Sequence, residues 1–106
     1  MVRVHGGSFI SGSATGAGLN GASFALASGS IVVTVQYRLG VFGFLPPSLL
    51  DENVNLGVKD VAVALEFLHK ILPSFGGDAG GITIAGQSSG AMMMRGSQSC
   101  SSPPSI

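Results

Sequence analysis

The five residues Gly86-Gln87-Ser88-Ser89-Gly90 set the Ser88 hydroxyl midway between two glycines, a spacing suited to nucleophilic chemistry. The pattern is G-x-S-x-G, with strand-like residues before it and helix-like "AMMM" after it. In such a corner the serine takes a strained backbone conformation, and the glycines two positions to either side have no Cβ to collide with the neighbouring strand and helix. The hydroxyl of Ser88 is then held out at the carboxyl edge of a sheet. The helix that follows aims its first N–H groups at the same place, so an oxyanion forming beside Ser88 can bond the N–H of Ser89. An ordinary strand-to-helix turn fits these five residues equally well. A second stretch, "VHGGSF" from Val4 to Phe9, favours the chemical reading. It ends another strand on two glycines, which let backbone N–H groups turn towards a substrate oxygen.

Both stretches need elements that position them. Val2 to Val4, Ile31 to Gln36 and Ile82 to Ala85 are short and rich in β-branched residues, as strands of a parallel sheet are. Asn20 to Ser28, alanine-rich with Phe24 and Leu26, predicts a short helix between the first two strands. From Asn55, a natural N-cap, the apolar positions Val58, Val61, Ala62, Leu65, Leu68 and Leu72 follow helical spacing, with Lys59, Glu66 and Lys70 on another face. This helix is expected to end near Pro73. Strand and helix alternate three times, the order of an α/β protein with a parallel sheet and crossover helices. After Arg95 the composition turns to "GSQSCSSPPSI", so 96–106 is expected to be a disordered tail.

Composition narrows the function classes. The chain has 106 residues, 45% hydrophobic and 9% charged, with five basic against five acidic side chains. It carries no basic footprint for nucleic acid and no acidic tail. The longest apolar runs fall far short of the roughly 20 residues that span a bilayer. So low a charged fraction suits a piece of a larger protein, whose strands, apolar on both faces, are expected to leave a large apolar patch uncovered. Cys100 is the only cysteine and has no partner for a disulfide or a metal cluster. "GGDAGG" lacks the lysine and hydroxyl of a phosphate-binding loop, so neither a metal nor a cofactor is implied.

Four ordered stretches together resemble the type B carboxylesterase and cholinesterase-like family of α/β-hydrolases: "VHGGSF", "QYRLGVFGFL" from Gln36 to Leu45, "NLGVKD" from Asn55 to Asp60, and "FGGDAGGITIAGQSSGA" from Phe75 to Ala91. The resemblance runs from Val2 to Arg95. It implies a partial α/β-hydrolase fold, with residues 1–95 as the N-terminal part of a catalytic domain truncated at both ends. It implies a serine carboxylic-ester hydrolase acting on a small-molecule or lipid ester, with Ser88 as nucleophile and an acyl-enzyme in a full-length parent. The N–H groups of Gly7, Ser8 and Ser89 are implied as the oxyanion hole, and Gly86 and Gly90 as the glycines of the nucleophile elbow. The family usually has glycine where Ser8 stands, alanine at Ser89 and glutamate at Gln87. Its acid and histidine follow far downstream of the serine. Members are often secreted, which implies an extracellular location. Hormone-sensitive-lipase-like esterases share the "HGG" loop and the elbow but lack "YRLGVFGFL" with "FGGD". A chain that keeps the fold without turnover is the further alternative.

Other polar residues read as framework. A base must reach Ser88 from the side opposite the oxyanion donors, which disfavours His5; the resemblance implies that His5 shapes the glycine loop, and His69 is expected on a helix surface. By the resemblance, Asp60 and Asp78 tie loops and helix starts, and Arg38 belongs to a buried ion pair. Met92, Met93 and Met94 are expected to pack their helix into the core.

Overall fold

The computed structural model describes residues 1–16, 18–44 and 55–100. Three strands, β1 (Val2–Val4), β2 (Val33–Val35) and β3 (Ile84–Gly86), form one parallel sheet in the order β2-β1-β3. The helices are α1 (Ala22–Ser28), α2 (Gly40–Gly43), α3 (Leu56–Ile71) and α4 (Ser89–Cys100). The expected α/β alternation is present, with α2 as an addition in the "GVFG" turn. Leu45, the last residue of "QYRLGVFGFL", lies outside the described residues.

Strand register explains how the sheet packs. Val33, Val2 and Ile84 stand side by side, then Thr34, Arg3 and Ala85, then Val35, Val4 and Gly86. Side chains alternate between faces with a period of two, so the two valine-rich rows share one face and the Thr34-Arg3-Ala85 row points to the other. The apolar face is covered: Val2, Val4 and Val35 are buried with Val61, Leu65 and Leu68 of α3 and Met93 of α4, and Val33 and Ile84 pack against them. Each such side chain contributes about 1.5–3 kcal/mol when fully buried.

The expectation of a sheet apolar on both faces is therefore corrected, because the middle row is not apolar. Exposed large apolar side chains sit on helices and turns instead, among them Leu26, Phe42, Val63, Phe67 and Phe75. Val63 and Phe67, four apart on α3, are 62% and 59% exposed. Among the methionines Met93 is buried, Met94 packs against the core and Met92 is exposed, since three successive helical residues cannot share one face.

Element ends follow local chemistry. β2 is shorter than the expected strand because β1 offers only three partners, although Met1 extends the pairing by donating to the Ile31 carbonyl and accepting from Val33 N–H. Asn20 Oδ1 accepts from the N–H of Ala22 at the start of α1. Asn55 occupies the N-cap position of α3 but makes no side-chain cap, because its backbone is left-handed, with φ 54°. After Ile71 a 3₁₀ turn, Leu72–Phe75, begins with Pro73 in its first turn and closes on Gly76. Helix α4 continues to Cys100, so residues 96–100 belong to it rather than to the expected tail. Once a helix is nucleated, each added residue brings its own hydrogen bond, and a polar composition is no bar to it. Residues 101–106 lie outside the described residues.

Candidate active site

Parallel pairing of Val4 with Gly86 makes β1 and β3 end together at one edge of the sheet. The loop after Val4 and the turn after Gly86 therefore leave side by side. One leads towards α1 and β2, the other into α4, and β1 lies between β2 and β3. Adjacent parallel strands whose connections diverge in this way open a crevice at their carboxyl ends.

Ser88 stands between β3 and α4 with φ 55°, exposed, in a left-handed conformation uncommon for a residue with a side chain. The first helical bonds form around it: Gly90 N–H donates to Gln87 O, and Ala91 and Met92 donate to Ser88 O. Close backbone approach requires the flanking glycines. A Cβ on Gly86 would lie 2.6 Å from the Gly90 carbonyl carbon, and one on Gly90 would lie 2.3 Å from Val4 O. Helix α4 is thus seated directly on the end of β1.

The loop after β1 reaches the same corner, since a Cβ placed on Gly6 would be 3.3 Å from Ser88 Cβ. Gly7, Ser8 and Phe9 all have positive φ, at 137°, 56° and 67°. For Ser8 and Phe9 that conformation costs about 1–2 kcal/mol each. The loop is held by Gly40 N–H donating to Phe9 O at 2.7 Å and by the edge-on contact of Phe9 with Phe44. Among the described residues, the N–H groups of Gly7, Ser8 and Ser89 donate no hydrogen bond, and the Ser88 hydroxyl has no partner. Ser89 is buried, and its own hydroxyl is unpaired.

His5 is boxed in. Its ring stacks on Tyr37 with centroids 4.5 Å apart, its Nδ1 lies 2.9 Å from Gly6 O, and its Nε2 is buried without a partner. The Tyr37 hydroxyl donates to His5 O at 2.7 Å, bracing the strand end beneath the loop. Tyr37 escaped the sequence reading. A tyrosine directly after a buried strand, with its ring inside and a hydroxyl needing a partner, was the available signal. His69 is half-buried with Nδ1 shielded, rather than on the open helix surface.

Asp60 accepts from Arg38 three times: from Nε at 2.8 Å, from Nη2 at 2.7 Å and from the backbone N–H at 3.0 Å. These bonds hold the Asp60 carboxyl below its ordinary range, the side-chain hydrogen bond from Arg38 being the main cause. The pair is not buried as expected, because the Arg38 and Asp60 side chains are 49% and 25% exposed. Asp78 accepts from Gly80 N–H and starts a 3₁₀ turn, Ala79–Gly81, a framework role. A cleft of about 530 Å³ opens on the Arg3 and Ala85 side of the sheet, but Ser88 does not line it. Among the described residues no group of His, Cys, Asp and Glu could hold a metal ion, and no helix is long and apolar enough to cross a membrane.

Comparison with known proteins bears on this arrangement. The family model described as "Carboxylesterase family" matches residues 1–103. Neuroligin-1 of Caenorhabditis elegans is 46% identical over 95 residues, covering 89% of this chain and 12% of that protein. Para-nitrobenzyl esterase of Bacillus subtilis (strain 168) is 42% identical over 94 residues, covering 87% of this chain and 19% of the esterase. The solved structure of a thermophilic PNB esterase superposes with a TM-score of 0.80 at 40% identity, over 88% of this chain and 20% of the other. The chain thus spans a fifth or less of the length of these relatives.

Proposed function

The chain belongs to the carboxylesterase family, with the α/β-hydrolase fold in part, and from that premise we propose that it carries the oxyanion loop and nucleophile elbow of a serine carboxylic-ester hydrolase. The observation that carries this reading is Ser88, exposed at φ 55° where β3 turns into α4, beside a loop in which the N–H groups of Gly7 and Ser8 donate no hydrogen bond among the described residues. The Ser88 oxygen attacks the ester carbonyl carbon, and the carbonyl electron pair moves onto oxygen. The resulting oxyanion is met by the N–H groups of Gly7, Ser8 and Ser89. Such donors are worth about 3–4 kcal/mol each in an intact site. Collapse of the intermediate expels the alcohol and leaves an acyl group on Ser88, which water then releases as a carboxylic acid.

A base must take the hydroxyl proton in the first step and return it to the leaving alcohol. His5 is unsuited to this, being stacked on Tyr37 and tied to its own loop. The family resemblance puts the histidine and its acid in a part of the catalytic domain that follows this segment. The substrate is a small-molecule or lipid ester, and an extracellular location belongs to the same proposal.

A chimera tests the reading. Val2 to Arg95 of this chain replaces the matching segment of the Bacillus subtilis esterase, and hydrolysis of a short-chain p-nitrophenyl ester is followed. The chimera is expected to exceed its Ser88→Ala form by several orders of magnitude. Equal rates for two folded chimeras would sink the proposal. The 106 residues assayed alone are expected to match their own Ser88→Ala variant, since a serine without a base is a poor nucleophile.

A further inference from the structure

Three donors meet on the carbonyl oxygen of Gly7: the N–H of Ile10 at 3.1 Å, the N–H of Ser11 at 3.0 Å and the hydroxyl of Ser11 at 3.0 Å. A carbonyl oxygen offers two lone pairs, so this acceptor is fully engaged. The oxygen belongs to the same planar trans peptide as the N–H of Ser8, and the two point in opposite directions. Whatever holds the carbonyl on the Ser11 side therefore holds the Ser8 N–H facing away from it.

That orientation needs holding. Ser8 and Phe9 are both left-handed, as the central residues of a type I′ turn are, and neither is a glycine. Rotation of the Gly7–Ser8 peptide as a unit would carry Ser8 out of the left-handed region and relieve its strain, and Gly7 itself resists neither orientation. It would also reverse the Ser8 N–H. Ser11 is packed against this peptide: a Cβ on Gly7 would lie 2.1 Å from Ser11 O and 2.9 Å from Ser11 Oγ.

We propose that Ser11 is a positioning residue for the reaction, its hydroxyl pinning the Gly7–Ser8 peptide so that the Ser8 N–H is presented to the oxyanion. This role rests on the reading of Ser88 as nucleophile. The side chain touches neither substrate nor Ser88, and acts through one peptide group. The serine that replaces the family's usual glycine at position 8 makes the pin more necessary, because it adds a left-handed residue that a peptide flip would relax.

The test uses the full chain labelled with ¹⁵N, as wild type, Ser11→Ala, Ser11→Thr and Ser88→Ala. The Ser8 amide resonance reports the peptide orientation directly. Phenylboronic acid reports the oxyanion site: the Ser88 oxygen adds to boron, the hydroxyl proton passes to solvent, and a tetrahedral boronate anion results. Ser11→Ala is expected to move the Ser8 amide resonance and to weaken Ser88-dependent boronate binding about fivefold, the worth of one hydrogen bond. Ser11→Thr, which keeps the hydroxyl, is expected to restore both. Unchanged boronate affinity in Ser11→Ala, with or without a moved amide, overturns the positioning role. Boronate that binds wild type no better than Ser88→Ala overturns the reading of Ser88 itself, and the role of Ser11 falls with it, even where the Ser8 amide still responds to the loss of the hydroxyl.

Discussion

The helix-covered face of the sheet and its carboxyl edge are built on opposite terms. On the face, Val2, Val4 and Val35 meet Val61, Leu65 and Met93 in a core of apolar side chains. At the edge, a few residues away along the same strands, Ser8, Phe9 and Ser88 hold left-handed backbones and Ser89 buries an unpaired hydroxyl. The face lowers free energy and the edge raises it. Strain and unpaired groups persist only where the surroundings over-determine them, and they gather where chemistry is done. Here the surroundings are the braces between the two regions: the Tyr37 hydroxyl on the His5 carbonyl, and Gly90 pressed against the end of β1.

Three substitutions probe that contrast in order of size. Leu65→Ala, at the centre of the covered face, is expected to lower unfolding stability by about 2–5 kcal/mol in a urea titration. A loss well under 1 kcal/mol would mean that the core does not carry the edge. Ser89→Ala removes a buried hydroxyl with no partner and keeps the backbone donor, so stability is expected to rise by about 1 kcal/mol, with the chimera's esterase rate retained. A destabilised Ser89→Ala protein would show that this hydroxyl is satisfied and that the edge is less strained than its geometry indicates.

The smallest effect belongs to a solvated brace, the Arg38–Asp60 pair. The carboxyl of Asp60 is held below its ordinary range in the fold, so the unfolded chain takes up its proton first as pH falls. The stabilisation is present above the unfolded carboxylate value of about 3.9 and is lost as pH drops through the lower folded value. Asp60→Asn is therefore expected to lose this small stabilisation at neutral pH and to converge on wild type as pH falls below about 4, which flattens the acid limb of the stability profile. An unchanged acid limb in thermal melts across that range would remove the pair from the framework.

Local pattern carried much of this molecule. The G-x-S-x-G corner was legible because the glycines, the serine and the helix start are all within one short stretch, where backbone sterics act between near neighbours. Helix α3 was legible for a similar reason, its core face repeating every three to four residues from Val61 to Leu68. The tail was misjudged from 96 to 100 because composition describes average behaviour, whereas an existing helix end changes what each following residue gains.

What the chain alone determined is its list of local devices: three strands, a long amphipathic helix, a serine in a tight corner and a loop of glycines. Tertiary structure decided which of them meet. Placing β1 between β2 and β3, with Val4 level with Gly86, brings the loop at Gly7 to Ser88 across some eighty residues of sequence. The same pairing puts Arg3 in the middle of the sheet's other face and lets Tyr37 reach the His5 carbonyl, while the Arg38–Asp60 pair stays part-exposed. The physical reason is that local sterics act between neighbours and are written in short patterns. Strand order and register instead result from competition among distant segments for one apolar face, and only the assembled core settles that competition.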